Sequence, residues 1–161
     1  MGGRKTRNMR IAVYQPDIPQ NLGAMIRLGA CLDVPVDVIE PCGFPFGGLE
    51  GGNKGVRRAG MDYMKIGNFE RHSSWSAYQT ALASKGGRLI LLTTAAQTSY
   101  LDIAFEEQDT LLVGRESAGV PQEVVDRADL AVRIVMTPPA RSLNVVNAAS
   151  MVIGEALRQT R

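Results

Sequence analysis

Short apolar runs that indicate β-strands alternate along the chain with segments of helical periodicity. The apolar runs that predict strands lie at residues 10–14, 36–39, 63–66, 88–93, 110–113 and 130–135. Apolar positions at three- and four-residue spacing predict helices at residues 20–32, 73–84, 121–128 and 145–159. The glycine-rich stretch between residues 41 and 55 is expected to be irregular.

This alternation predicts an α/β fold with a mostly parallel sheet and helices on both faces. The run at residues 88–93, RLILLT, is apolar almost throughout, as expected for a strand buried on both sides. The sequence shows no internal repeat or linker, so a single domain is expected over residues 10–161. Residues 1–9 are Gly-rich and basic and are expected to form a flexible arm.

Composition narrows the class of protein without deciding its function. Of 161 residues, 45% are hydrophobic and 21% charged, which is ordinary for a globular domain and argues against disorder. No apolar run approaches the roughly 20 residues that span a bilayer, and no apolar stretch follows the basic N-terminus as in a signal peptide. A cytoplasmic protein without membrane contact is therefore expected. The net charge of +2 permits a polyanionic partner but does not require one.

The potential metal ligands and nucleophiles are few. Cys31 and Cys42 are the two cysteines, which is too few for a structural zinc site and fits a reducing compartment. His72 is the single histidine, and the serines that follow it have no obvious acidic partner. No metal and no Ser-His-Asp triad are expected, and His72 is predicted to lie on the surface near a helix start.

Residues that could bind a ligand or take part in catalysis follow three of the predicted strands. Asn21, Gly23 and Arg27 come after the first strand with the spacing N-x-G-x-x-x-R, and residues 114–121 (GRESAGVP) follow the strand at 110–113. Residues 136–144 follow the last strand. Ligands of open α/β sheets bind beyond the carboxyl ends of the strands, so these segments are expected to form one site.

Each segment also has a simpler interpretation. Asn21 can be a polar residue of a first helical turn, Gly23 a close-packing position and Arg27 a solvated surface arginine. The glycines at both ends of the Glu116 segment can form a strand-to-helix turn, with Glu116 at the positive end of a helix dipole. Residues 142–144 can be the N-cap of the last helix. No G-x-G-x-x-G or phosphate-loop sequence occurs, which disfavours a dinucleotide-binding domain.

Taken together, the segments resemble those of the SPOUT (SpoU/TrmH-like) methyltransferases, and most of all the small TrmL-type group. The resemblance rests on residues 19–27, 114–121, 133–136 with 141–148, and the further segment RRAGMDY at 57–63. It implies a trefoil-knotted α/β domain, with the knot in the C-terminal half. It also implies a homodimer that transfers a methyl group from S-adenosylmethionine to a ribose 2′-oxygen of tRNA, at the wobble nucleotide.

The resemblance also implies roles for individual residues. The catalytic group would be Asn21, Arg27, Glu116 and Asn144. The cofactor would contact Leu92, Thr93, Gly114, Glu116, Ile134, Met136, Ser142, Leu143 and Asn144. The RNA would contact Arg27, Arg57, Arg58 and Arg141.

The family assigns deprotonation of the acceptor to the equivalent of Arg27. An arginine keeps its proton in proteins, so phosphate binding and stabilisation of developing alkoxide charge are the physically better-founded role. Two other functions remain open from the sequence. One is methylation of ribosomal RNA or of another tRNA ribose, and the other is RNA binding by a dimer that has lost catalysis.

Overall fold

The computed structural model describes residues 8–46, 53–60 and 68–160, and within them six strands form one parallel sheet. The strands are β1 Arg10–Tyr14, β2 Val36–Ile39, β3 Phe69–His72, β4 Leu89–Leu92, β5 Thr110–Val113 and β6 Leu130–Val132. The α-helices of the same residues are α1 Pro19–Leu32, α2 Lys54–Gly60, α3 Trp75–Lys85, α4 Gln122–Arg127 and α5 Val145–Thr160. The strand order is β3-β2-β1-β5-β4-β6, with every pairing parallel.

Alternate residues of the strands enter two separate cores, one on each face of the sheet. On β1, Ile11 and Val13 pack with side chains of α1 and α5, whereas Ala12 and Tyr14 pack with those of α3 and α4. This is the period-two alternation of a strand covered on both faces. The predicted α/β class with helices on both faces is therefore confirmed.

Most of the predicted elements are present with small shifts of their ends. The helix predicted at residues 73–84 begins at Trp75 because the Ser74 hydroxyl accepts a hydrogen bond from Ala77 N at 3.0 Å. The last strand was predicted through Val135 but ends at Val132. The chain leaves the sheet there, and Val135 is 66% exposed.

Of the described strands and α-helices, two were not predicted. β3 lies at residues 69–72, while the strand predicted at 63–66 lies outside the described residues. Helix α2 begins at Lys54, inside the stretch expected to be irregular, after Asn53 accepts hydrogen bonds from Gly55 N and Val56 N. A Cβ at Gly23 of α1 would lie 2.1 Å from Val56 O, so that glycine is a close-packing position for α2.

His72 does not lie on the surface as predicted. Its side chain is 10% exposed, and its Nε2 lies 3.0 Å from Oδ1 of Asp37. Arg10 donates to both carboxylate oxygens of Asp37 at 2.7 Å, and Lys85 Nζ lies 2.6 Å from Glu70 Oε2. Carboxylate oxygens of Asp37 and Glu70 and a ring nitrogen of His72 lie within 4.8 Å of one another. Arg10 and Lys85 already neutralise the two carboxylates of this cluster.

The core begins closer to the N-terminus than the sequence predicted. Met9, which the sequence placed in the arm, is 2% exposed and belongs to the core, whereas residues 1–7 lie outside the described part.

Among the described helices, none combines the length and apolar character that a membrane span requires.

Candidate active site

A cavity of about 270 Å³ opens at the carboxyl ends of β4 and β5. Eight of the nine residues predicted to hold the cofactor line it: Leu92, Thr93, Gly114, Glu116, Ile134, Met136, Ser142 and Leu143. Further apolar lining comes from Leu91, Val113, Val120, Val145 and Ala148. The ninth predicted residue, Asn144, lies beside the cavity, directly before α5.

The wall of this cavity after β5 is a tight turn of residues 114–119. Arg115 and Gly119 exchange backbone hydrogen bonds of 3.0 and 2.9 Å, which closes the turn. Gly119 has φ +60°, a left-handed conformation that glycine adopts without strain. A Cβ at Gly114 would lie 2.8 Å from the carbonyl carbon of Gly119, so no larger residue fits there without opening the turn.

Three side chains from separate segments form one hydrogen-bonded chain beside the cavity. Asn144 Nδ2 donates to Asn21 Oδ1 at 3.1 Å, and Asn21 Nδ2 donates to Glu116 Oε1 at 3.0 Å. The structure thus brings together Asn21 of α1, Glu116 of the turn after β5 and Asn144 before α5. Glu116 and Asn144 are 95 and 123 positions away from Asn21 in the sequence.

Asn144 also has the simpler role considered from the sequence. Its Oδ1 accepts hydrogen bonds from Val146 N at 2.9 Å and Asn147 N at 3.2 Å, which caps the first turn of α5. The same side chain therefore caps a helix with its oxygen and donates to Asn21 with its nitrogen. Because the oxygen is held by the cap, the nitrogen has a fixed direction.

Glu116 is paired with a second carboxylate, Asp17, in the loop between β1 and α1. Burial raises the pKa of Glu116, and the neighbouring carboxylate of Asp17 raises it further. The pKa of Asp17 is lowered to about 2, chiefly by hydrogen bonding to the Glu116 side chain and then by Ser117 and two backbone N–H groups. The pKa values of the two carboxyl groups are therefore shifted in opposite directions, upward for Glu116 and downward for Asp17.

The two side-chain oxygens of Glu116 differ in their hydrogen bonding, since Oε1 accepts from Asn21. Its Oε2 is buried and meets no hydrogen-bond donor within the described part of the chain. An ionised carboxylate would leave this oxygen as a buried acceptor without a donor, which costs about 1–3 kcal/mol. A protonated Glu116 would leave a buried donor without an acceptor there, so in either protonation state this oxygen still lacks a partner among the described residues.

The four arginines predicted to contact RNA are all exposed. Arg27 lies in the second half of α1, Arg57 and Arg58 on α2, and Arg141 in the loop that leads to α5. Arg27 follows Asn21 by six residues, which corresponds to about 9 Å along the helix axis. The structure therefore places Arg27 on the same helix as the hydrogen-bonded chain, at a distance from it.

The sequence interpretation missed two residues of this site. Asp17 was not selected, although it lies in the loop directly after β1, where site residues of α/β folds occur. Arg115 lines the cavity, donates from Nε to Gly119 O at 3.0 Å and has its guanidinium 5.5 Å from the centre of the Tyr14 ring. Its place inside the GRESAGVP segment was the signal that could have identified it.

The cavity suits S-adenosylmethionine in three respects. Its apolar walls match an adenine ring, and the turn lining it packs Gly114 against the backbone of Gly119 more closely than a Cβ would allow. The buried Oε2 of Glu116 supplies a polar group that still lacks a partner in the described residues.

A family model and known relatives match almost the whole chain. The model of the SpoU rRNA Methylase family matches residues 8–154. The chain belongs to this family. The tRNA (cytidine(34)-2′-O)-methyltransferase of Beijerinckia indica subsp. indica is 52% identical over 149 residues, covering 92% of this chain and 90% of the relative.

Solved structures of the family share the fold. One, from work on the 2-OH methylation of C/U34 on tRNA, superposes with a TM-score of 0.85 at 36% identity and covers 94% of this chain and 95% of the other. The SpoU methyltransferase AviRb from Streptomyces viridochromogenes, in complex with the cofactor AdoMet, has the same fold. Its TM-score is 0.85 at 22% identity, with 96% of this chain and 61% of the other covered. The six-stranded α/β architecture is thus the family's architecture.

Proposed function

We propose that the chain is an S-adenosylmethionine-dependent tRNA methyltransferase that modifies the ribose 2′-oxygen of nucleotide 34, the wobble position. The observation that carries the proposal is the hydrogen-bonded chain from Asn144 through Asn21 to Glu116, at the edge of an apolar cavity. It joins in space three of the four segments on which the resemblance rests. The Beijerinckia relative, named for the same reaction at cytidine 34, supports the choice of substrate.

The cofactor-binding residues of the proposal are the nine named from the sequence, eight of which line the cavity. When bound, S-adenosylmethionine supplies the methyl group, whose bond to sulfur breaks as its bond to the ribose O2′ forms. The apolar side chains of the cavity exclude water, and the turn at Gly114 offers backbone groups to the ligand. The AdoMet complex of AviRb, a protein of the same fold, supports this choice of cofactor.

The acceptor hydroxyl must lose its proton, and the residues of the chain limit how this happens. Burial and the neighbouring Asp17 raise the pKa of Glu116, and His72 belongs to the buried cluster with Asp37. Arg27 therefore acts by charge: it binds the adjacent phosphate and stabilises negative charge that develops on O2′. The proton leaves to a phosphate oxygen of the substrate or to water.

The proposal extends to the family's knot and to a homodimer. The match to family structures over 94% or more of the chain supports a trefoil knot in the C-terminal half. Val135, Leu143 and Met151 are 66%, 42% and 43% exposed, which supports a second copy covering apolar side chains near the cavity. Sedimentation equilibrium at micromolar concentration tests the dimer, and a monomer would contradict it.

Methyl transfer to total tRNA tests the enzymatic proposal. Purified protein, tRNA lacking the modification and methyl-labelled S-adenosylmethionine are expected to give one labelled nucleotide, at position 34. Label in ribosomal RNA or at another tRNA ribose would replace the proposed substrate by the alternative one. RNA binding without any labelling would indicate a catalytically silent dimer.

Arg27→Ala sharpens this test. The variant is expected to lose turnover while its dissociation constant for S-adenosylmethionine stays within about twofold, because the lost interaction is made with the substrate. Arg158→Ala is the matched control, since Arg158 is an exposed arginine near the end of α5 whose partner is Glu155 at 2.7 Å. Equal loss of turnover and cofactor binding in the Arg27 variant would contradict the assigned role.

A further inference from the structure

Asp17 connects the loop after β1 with the turn after β5. Its Oδ1 accepts a hydrogen bond from Glu116 N at 3.2 Å, and its Oδ2 accepts one from Ser117 N at 3.3 Å. The Ser117 hydroxyl also donates to Oδ2. One carboxylate thus holds two successive backbone N–H groups and a side chain that follow it by about 100 positions in the sequence.

The turn of residues 114–119 cannot fix the Glu116 side chain by itself. Its internal hydrogen bonds join Arg115 to Gly119 and leave the N–H groups of Glu116 and Ser117 directed out of the turn. Within the described residues, Asp17 is the acceptor for both. Hydrogen bonds from backbone N–H groups to a carboxylate are charge-assisted and are stronger than those to neutral acceptors.

The consequence concerns the direction of the Glu116 side chain. With its backbone N–H held by Asp17, Glu116 reaches Asn21 through Oε1 and places Oε2 in a buried position beside the cavity. Without Asp17, these N–H groups would need water as a partner, and the turn would be free to move away from α1. Asn21 would then lose its link to the turn.

We propose that Asp17 is a positioning residue of this site, which holds the turn of residues 114–119 against the loop after β1 and so directs Glu116 toward Asn21 and the cavity. As far as it concerns methyl transfer, the inference rests on the proposed function. Asp17 itself contacts the turn and lies outside the cavity lining, so it acts through Glu116.

A double-mutant cycle tests whether Asp17 acts through Glu116. Asp17→Ala is expected to lower kcat by about tenfold to a hundredfold, as for the loss of charged hydrogen bonds, with KM for tRNA little changed. In the background of Glu116→Ala, the same substitution is expected to have less than about a twofold effect, because the group that it positions is absent. Effects that multiply independently in the double variant would overturn the inference.

Two further variants separate positioning from general stability. Asp17→Asn keeps an acceptor oxygen without the charge and is expected to recover part of the activity lost in Asp17→Ala. Asp126→Ala removes an exposed aspartate that accepts one hydrogen bond from Gln122 at 2.8 Å on α4, and it serves as the control. Equal loss of activity in Asp17→Asn and Asp17→Ala, together with a lowered thermal midpoint in both, would replace positioning by a purely structural role.

Hydrogen exchange provides a measurement that needs neither cofactor nor RNA. The amides of Glu116 and Ser117 are expected to exchange about tenfold faster or more in Asp17→Ala than in the wild type, while those of β5 stay unchanged. If the wild type fails to methylate tRNA, the proposed function is wrong and the exchange result still decides whether Asp17 holds the turn. If the wild type is active and the Asp17 variants match it in rate and exchange, the inference alone is wrong.

Discussion

Asn144 holds the first turn of α5 with its side-chain oxygen and Asn21 with its side-chain nitrogen, across 123 positions of the sequence. The side chain of Asn144 thus both caps a helix and links two segments of the site. Stability and site geometry depend on different atoms of it, so substitutions can separate the two.

Asn144→Asp and Asn144→Ala form the pair that makes this separation. The aspartate keeps the cap but faces Asn21 Oδ1 with an acceptor, so stability is expected to remain within about 0.5 kcal/mol while methyl transfer falls. The alanine loses both functions and is expected to destabilise the protein by about 1 kcal/mol. Urea denaturation and the methylation assay measure the two effects. An aspartate variant with full activity would show that the link to Asn21 is unimportant.

Gly114 is expected to tolerate no side chain. In Gly114→Ala the new Cβ would lie 2.8 Å from the carbonyl carbon and 3.0 Å from the Cα of Gly119, so the turn must open and the cavity wall must shift. We expect affinity for S-adenosylmethionine to fall by about tenfold or more, equivalent to about 1.4 kcal/mol. Isothermal titration calorimetry measures this change.

Gly154→Ala is the matched control for Gly114→Ala. Gly154 lies exposed in α5, and a Cβ added there would meet no neighbouring atom of the described residues within 4 Å, so alanine points into open space. The change is expected to stabilise the protein by about 0.5–1 kcal/mol, because glycine is a poor helix former. Unchanged cofactor affinity in Gly114→Ala would contradict the packing argument, whatever the control shows.

The central strands were predictable because each is a nearly continuous run of apolar residues. The runs at β1, β4 and β5 are buried on both faces, so nearly every residue is apolar. β3, with the sequence FERH, was missed because it lies at the edge of the sheet that the described residues form, paired there with β2, and Glu70 and Arg71 are exposed. Its pattern is polar because half of its surroundings are water.

The site was predictable as a set of segments but not as a set of contacts. Asn21, Glu116 and Asn144 follow or precede buried elements at one edge of the sheet, and the topology alone brings them near each other. The pairing of Asp17 with the N–H groups of Glu116 and Ser117 depends on loop conformation, which no local pattern specifies. The partnership of His72 with Asp37 was missed for the same reason, since β2 and β3 had first to be paired in register.

The buried ion pair of Arg10 and Asp37 is expected to govern acid stability. Burial acts to raise the pKa of Asp37, but the hydrogen bonds and charge of Arg10 outweigh it and lower that pKa below its ordinary value. Such a group stabilises the fold above the pKa of the unfolded chain, about 4, and this contribution is lost as the pH falls through the lower folded pKa.

In Asp37→Asn, the free energy of unfolding is therefore expected to fall less steeply than in the wild type as the pH is lowered below about 4. It is also expected to destabilise the protein at pH 7 by about 3 kcal/mol, because the partly buried Arg10 loses the closer of its two carboxylate partners and keeps Glu70 at 3.4 Å. Urea denaturation over a pH series measures both effects. A variant whose free energy of unfolding falls in acid as steeply as that of the wild type would contradict the role given to Asp37.

The exposed arginines of α2 are expected to contribute to RNA affinity through phosphate contacts. Each contact releases counterions from the RNA, so log affinity should fall linearly with log salt concentration. Arg57→Ala and Arg58→Ala are each expected to reduce the magnitude of this slope by about 0.7–0.9, and the double variant by about twice as much. Filter binding of tRNA at several salt concentrations measures the slopes.

Arg158→Ala is again the control, because it lowers the net charge by the same amount as the α2 substitutions. Arg158 lies 13 residues beyond Val145, which places it about 20 Å along α5 from the cavity end of that helix. If net charge alone attracted RNA, this variant would reduce binding as much as the α2 variants do. A slope reduced only by the α2 substitutions would instead locate the phosphate contacts on α2, next to the helix that carries Asn21 and Arg27.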